Sequence, residues 1–177
     1  MAFTPAEPRP NNTAQVTLRE ITADTVIQVT RLSVAESQKG FVAPNAVSLA
    51  QALFAPEAWY RASYCGEELA GFVMLEDESL LRPSPASPKI GVWRLMVDAK
   101  FQGRGIGRAA LLQVIAHARS KGLFTSIELS YVPGPGCPEP FYRSLGFCDA
   151  GRTDGIEIVL ELPLQEGSAG GQGQADA

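Results

Sequence analysis

Residues 93–122 read WRLMVDAKFQGRGIGRAALLQVIAHARSKG, and three kinds of structure follow one another within them. Val92 to Asp98 (VWRLMVD) is dominated by apolar and bulky side chains and reads as a strand. From Gly107 to Lys121, Leu111, Val114, Ile115 and Ala118 recur at i, i+3, i+4 and i+7, Arg119 and Lys121 fall in the last turn, and Gly122 supplies a stop, so a helix is predicted. Between the two lies Gln102-Gly-Arg-Gly-Ile-Gly107-Arg108. Three glycines at alternate positions leave backbone N–H groups uncovered by any Cβ, and they open onto a helix N-terminus whose dipole favours negative charge. Arg104 and Arg108 add formal charge. The chemistry implied is a cradle for phosphate or diphosphate.

Two common phosphate motifs do not fit. Gly105-x-Gly107-x-x-Ala110 matches the dinucleotide fingerprint, and Glu128 follows Gly105 by 23 residues, near the place of a ribose-binding acid. In that fold, however, the first glycine closes the turn directly after its strand, whereas Asp98-Ala-Lys-Phe-Gln intervenes here. Only one short helix and three strands are predicted after Gly122, too few to complete a doubly wound sheet. A Gly-Lys-Ser/Thr phosphate loop occurs nowhere in the chain.

Outward from this segment, Val16 to Ile21 alternates as a strand, and Thr22-Ala-Asp-Thr can cap a helix predicted to run to about Glu36. Gly40 to Asn45 (GFVAPN) breaks it, and a second short helix is expected over about 48–54. Trp59 to Tyr64 and Leu69 to Glu76 are strands joined by the hairpin signal Cys65-Gly-Glu-Glu, and the prolines of LRPSPASPK (81–89) dictate a loop. Thr125 to Tyr131 alternates, with Ile127, Leu129 and Tyr131 on one face and Ser126, Glu128 and Ser130 on the other. A short helix at 138–145 and strands at about 147–151 and 156–162 finish the chain. The order β-α-α-β-β-β-α-β-α-β-β predicts a mixed α/β layer with one central sheet. Residues 1–14 and 163–177, rich in Pro, Gly, Ser and Gln, read as disordered tails around one domain over 15–162.

A chain of 177 residues with 45% hydrophobic and 19% charged side chains has an ordinary globular composition, which excludes disordered, collagen-like and coiled-coil classes. No apolar run exceeds four residues, whereas a membrane-spanning helix needs ~20, so a soluble protein without membrane association is expected. The start, MAFTPAEPRPNNTAQ, has neither a basic region nor an apolar stretch, and the cytoplasm is the default. Cys65, Cys137 and Cys148 are too few and wrongly spaced for a disulfide framework or a zinc site, so no metal is expected. The net charge of −4 is uneven: residues 89–121 carry seven bases against Asp98 alone, and the remainder is −10. Such asymmetry points to one region that faces an anion and a remainder that attracts a cation.

WRLMVDAKFQGRGIGRAALLQVIAHARSKG resembles the acetyl-CoA motif of the GNAT N-acetyltransferases, and FYRSLGF (141–147) resembles the segment that closes their site. The resemblance covers essentially residues 15–162. It implies a single mixed, mostly antiparallel sheet flanked by helices, and acetyl transfer from acetyl-CoA in a ternary complex. In the family, the strand before the glycine loop pairs with the pantetheine arm, and the loop binds the diphosphate. By position, Leu95, Met96 and Val97 face pantetheine, while Gln102, Gly103, Arg104, Gly105, Ile106, Gly107 and Arg108 face diphosphate. Tyr142 matches the family's general acid, which protonates the departing CoA thiolate. The strand that carries a glutamate base in some members offers none here, and Glu128 is the best substitute. Pro135 replaces an asparagine that many members place seven residues before the tyrosine.

His117, beside the apolar stripe of its helix and without a ligand partner in sequence, reads as a boundary residue, and Cys137 has no expected covalent role because the family transfers acetyl directly. QKGFVAPNAVSLAQA (38–52), followed by a hairpin ending in GFVMLED, is similar to bacterial family members that acetylate polyamines such as spermine and spermidine. That resemblance makes Phe41 and Asn45 candidate substrate contacts and a small-molecule amine the expected partner; it allows a homodimer. Another acceptor (an amino acid, an aminoglycoside or a protein N-terminus) and a non-catalytic acetyl-CoA-binding module remain as rival readings. A pI of about 5.1 with a single basic segment argues against nucleic acid.

Overall fold

A computed structural model describes residues 16–165. The elements are β1 (Val16–Arg19), α1 (Val26–Arg31), α2 (Asn45–Ala52), β2 (Ala58–Cys65), β3 (Glu68–Asp77), β4 (Ile90–Val97), α3 (Ile106–Lys121), β5 (Ser126–Tyr131), α4 (Glu139–Arg143), β6 (Cys148–Asp154) and β7 (Glu157–Pro163). The order is the one the sequence predicts. All seven strands form one sheet, β1-β2-β3-β4-β5-β7-β6, antiparallel at every junction except the parallel pair β4–β5.

Helices cover both faces. Val73, Leu75, Ile90, Val92, Ile127 and Leu129 pack under Leu111, Val114, Ile115 and Ala118 of α3, together with Tyr142 of α4. Phe72, Met74 and Met96 point the other way, against Val29 of α1 and Leu49 and Ala52 of α2. Because β3 is buried on both sides, its sequence from Ala70 to Leu75 is a continuous apolar run rather than an alternation.

Two local features shape the sheet near its centre. Opposite β3, Met74 pairs with Arg94 and Leu75 with Val92, so Trp93 is an extra residue that bulges and bends β4. Toward β5, only Gly91 and Val92 find partners, Glu128 and Leu129; beyond them the strands diverge. On the other side β4 stays close to β3 at Gly71, where a Cβ would lie 2.5 Å from the Met96 carbonyl oxygen and 2.6 Å from Ser63 Oγ. Only glycine permits that approach.

Some boundaries differ from the sequence reading. α1 ends at Arg31, five residues before the predicted limit, because Leu32 turns extended and Ser33 is captured elsewhere: its N–H donates to Asp98 Oδ2 (3.1 Å) and its carbonyl accepts from Ala99 N–H (2.8 Å). A short 3-10 turn at Glu36–Gln38 is what remains of the predicted last turn. β7 extends to Pro163, and Leu164 is buried in the core, so the domain closes two residues beyond the expected edge of the C-terminal tail. The remaining tail residues, 1–14 and 166–177, lie outside the described residues.

Gly71→Ala is expected to destabilise the fold by about 1–3 kcal/mol, the usual cost of overpacking, since the obstruction includes backbone of β4. Urea titration checks this. An unchanged midpoint would show that β3 and β4 separate freely there.

Candidate active site

The divergence of β4 from β5 opens two clefts that meet. One, of about 640 Å³, runs along Leu95, Met96 and Val97, the loop 101–108 and the start of α4. The other, of about 940 Å³, lies over the polar face of β4, β5 and β7 and is closed on one side by residues 39–44. Phe41, Val42, Leu95 and Tyr142 line both. A group passed from one cleft to the other crosses at those four side chains.

The smaller cleft has the backbone features that can take a phosphorylated ligand with an extended arm. α3 begins without any side-chain cap at Gly105, which has φ of 77°, so the amides of its first turn are left without intrahelical acceptors. Gly103 also has positive φ, at 71°, and nothing lies within 4 Å of where its Cβ would be. The loop is therefore a bare backbone surface at a helix N-terminus, which is what a diphosphate needs. Leu95 to Val97 have β3 on one edge and no β5 partner on the other, leaving room for an added strand-like arm.

The predicted cofactor residues are mostly brought together here. Leu95, Met96, Val97, Gln102, Gly103, Gly105, Ile106, Gly107 and Arg108 line the cleft. Arg104 does not; it is exposed and its guanidinium lies over the Phe101 ring, 5.4 Å from the centroid. Ile106 is buried and also packs with Ala110 and Val16. Gln102 holds the loop: its Nε2 donates to the Val97 carbonyl at 3.0 Å and to Gln38 Oε1 at 2.6 Å. Of the seven bases in 89–121, Arg108 alone reaches this cleft, while Arg94 lines the other and Lys121 is paired with buried Asp77. The basic run is thus a property of the chain and not of one surface.

Tyr142 stands at the junction. α4 holds it, its ring packs against Phe141 (centroids 5.3 Å apart) and edge-on to Phe147 (6.2 Å), and burial pushes its hydroxyl up to about 12. It carries its proton throughout the physiological range and can donate but not abstract. Phe141 and Cys137, which the sequence reading left without a site role, also line the smaller cleft.

In the larger cleft Glu128 is present as expected, but its carboxylate is ion-paired with Arg152 of β6. Ser130, Arg94, Asp154 and Glu157 line the same space and were not singled out from sequence; Glu76, of the acidic remainder, lines it too. Alternation on β5 had placed Ser130 beside Glu128; the contribution of β6 and β7 needed the sheet order. Glu76 is pushed up from its ordinary value, first by burial and then by the charges of Glu57, Glu78 and Asp154, of which Asp154 lines the cleft with it. Asn45, a candidate substrate contact by sequence, is buried and lines neither cleft, and its Nδ2 donates to the Val29 carbonyl at 2.9 Å, locking α2 to α1. His117 is a half-buried boundary residue stacked on Trp59 at 4.6 Å.

Residues 27–147 match the family model of the acetyltransferase (GNAT) family. No curated protein matches the chain. Among solved structures, an acetyltransferase assigned to the GNAT family from Desulfovibrio desulfuricans superposes with a TM-score of 0.64 at 18% identity, over 85% of this chain and 99% of that one. The PaiA N-acetyltransferase from Thermoplasma acidophilum in complex with coenzyme A gives 0.60 at 17% identity, over 84% and 98%. The ribosomal-protein-S18-alanine N-acetyltransferase from Escherichia coli gives 0.60 at 17%, over 91% and 99%.

Two substitutions separate ligand contact from structure. Arg108→Ala is expected to leave the unliganded Tm almost unchanged and to shrink the stabilisation given by acetyl-CoA, read by thermal shift. Asn45→Ala is expected to cost about 0.5–1.5 kcal/mol of stability by removing the buried bond between α2 and the Val29 carbonyl, which keeps only the Leu32 N–H at 3.3 Å, with substrate KM unaltered. A raised KM without loss of stability would return Asn45 to the substrate.

Proposed function

The chain belongs to the GNAT family of acetyltransferases, and from that premise we propose that it moves the acetyl group of acetyl-CoA onto a primary amine of a polyamine such as spermine or spermidine. Acetyl-CoA supplies the activated acetyl group as a thioester. The bare glycine backbone, the uncapped α3 terminus and Arg108 fit its diphosphate, and the open edge of Leu95 to Val97 fits its pantetheine arm.

Tyr142, protonated and at the crossing of the clefts, gives its proton to the sulfur from which the acetyl group departs. The observation that carries the acceptor class is the set of carboxylates on the wall of the larger cleft, Glu76, Glu128, Asp154 and Glu157, with Asp154 among the charges that push Glu76 up. Repelling carboxylates are relieved by a ligand with several ammonium groups. Glu128, held by Arg152, belongs in this reading to the charged lining that receives the cation. A second reading rests on Arg94, half-buried in the same cleft with no partner for its Nε; an acceptor bearing a carboxylate, such as an amino acid, would pair with it.

Thiol release from acetyl-CoA over a panel of polyamines, monoamines, amino acids and aminoglycosides tests the proposal. Spermine or spermidine should give the highest kcat/KM, and their KM should rise with salt as attraction is screened over ~8–10 Å. Preference for amino acids would instead favour the Arg94 reading. Tyr142→Phe should lower kcat by ~10²–10⁴-fold with acetyl-CoA affinity nearly intact. Activity within a few-fold of wild type would make Tyr142 a packing residue.

A further inference from the structure

Before it can attack, an ammonium acceptor must lose a proton, and the larger cleft contains a hydrogen-bonded pair suited to take it. We propose that Ser130 and Glu157 form this proton path, Ser130 touching the reacting nitrogen and Glu157 receiving the proton through it. The inference rests on the acetyl-transfer reading above and assigns its missing base.

The register of the sheet locates the pair. Glu128 lies opposite Gly91, where β4 and β5 are still joined, and Leu129 opposite Val92 is the last pairing. Ser130 is the next residue, on the same face as Glu128, and the first with no β4 partner. It therefore stands at the mouth of the fork, the side on which Leu95 and Tyr142 join the two clefts. Glu128 sits a step deeper, with one oxygen already engaged by Arg152, so a proton arriving there must displace a guanidinium.

Ser130 Oγ donates to Glu157 Oε2 from the neighbouring strand β7. A hydroxyl used this way as donor keeps its lone pairs, which can accept an N–H from the incoming ammonium. The charged groups facing Glu157 come from several elements: Arg94 of β4, Asp154 paired with it across the β6–β7 turn, and Glu128 with Arg152 along the same wall. Arg94 and Asp154 thus set charges of opposite sign on either side of the carboxylate.

The proton count closes. The nitrogen gives up two of the three protons of the ammonium, one before the C–N bond can form and one as that bond forms and the C–S bond breaks; the second is the one that ends up replacing the Tyr142 proton. One ends on sulfur by way of Tyr142, whose own proton is replaced from the nitrogen. The other passes to Ser130 Oγ as the Ser130 proton moves to Glu157, and from there to solvent.

The test uses the best amine found in the panel and compares pH–rate profiles of Glu157→Gln, Ser130→Ala, Ser130→Thr and Glu128→Gln, with acetyl-CoA thermal shifts confirming that each variant is folded. Near pH 7, Glu157→Gln and Ser130→Ala should lose ~10²-fold in kcat/KM, and the deficit should narrow to a few-fold at about pH 9.5, where free amine is plentiful. Ser130→Thr keeps a hydroxyl and should recover most of the rate. Glu128→Gln should act mainly on KM. The path is overturned if Glu157→Gln stays within a few-fold of wild type near pH 7, if its loss is equal at both pH values, or if Glu128→Gln shows the larger pH-dependent loss. Failure of wild type to acetylate any amine would remove the parent reading, and the path with it; turnover by wild type with an indifferent Glu157→Gln removes the path alone.

Discussion

Everything distinctive about this molecule depends on two strands that stop pairing. β4 and β5 share only two residue pairs before they part, and the backbone groups beyond are left to something other than the sheet. Buried main-chain amides and carbonyls without partners are costly, so a fork in the middle of a sheet persists only where side chains, water or a ligand can satisfy it. The bulge at Trp93 bends β4 away, and Gly71 keeps the bent strand close to β3 on its other edge. Gln102 then reaches from the loop to the Val97 carbonyl and satisfies one of the groups near the fork. A strand pulled between these constraints opens both clefts at once.

The same local chemistry ties the two clefts together. The segment between α1 and α2 carries Phe41 and Val42, which line both, and it is anchored to the β4–α3 connection at two places. Asp98 holds Ser33, and Gln102 holds Gln38 while lining the smaller cleft itself. A ligand that orders the glycine loop thus also orders the wall against which the acceptor rests. Fixing that segment in advance removes part of the entropy an acceptor would otherwise have to offset on binding.

Much of this was legible in the sequence for a simple reason: it is local. The glycine loop and its helix are contiguous, their periodicity and stop signals are short-range, and FYRSLGF places Tyr142 on a turn that Pro138 and Gly146 delimit. What failed to show was long-range. Asn45 looks polar and available until α1 is laid beside α2 and its amide meets the Val29 carbonyl. The early end of α1 follows from capture of Ser33 by Asp98, 65 residues away in the chain. Spacing places Arg104 in the glycine loop, and only the fold shows its guanidinium resting on Phe101.

Charge gives the sharpest instance of that division and also bears on how the site works. Read along the chain, 89–121 is a basic block in an acidic protein. Folded, its members scatter: Lys121 neutralises buried Asp77 at the far end of α3, Arg94 enters the acceptor cleft, and Arg108 remains at the glycine loop. In the proposed reading the diphosphate is held more by oriented amides than by formal charge, which suits a ligand that must leave after each turnover as well as bind. The acceptor cleft follows the opposite rule, with Glu76, Glu128, Asp154 and Glu157 set among Lys39, Arg94 and Arg152. In the proposed reading, opposed charges kept at different places along one wall hold the distant ammonium groups of a polyamine while its reacting nitrogen lies beside the proposed hydroxyl and carboxylate path. Separating those two tasks in space is what a cation needs in order to become a nucleophile without being expelled.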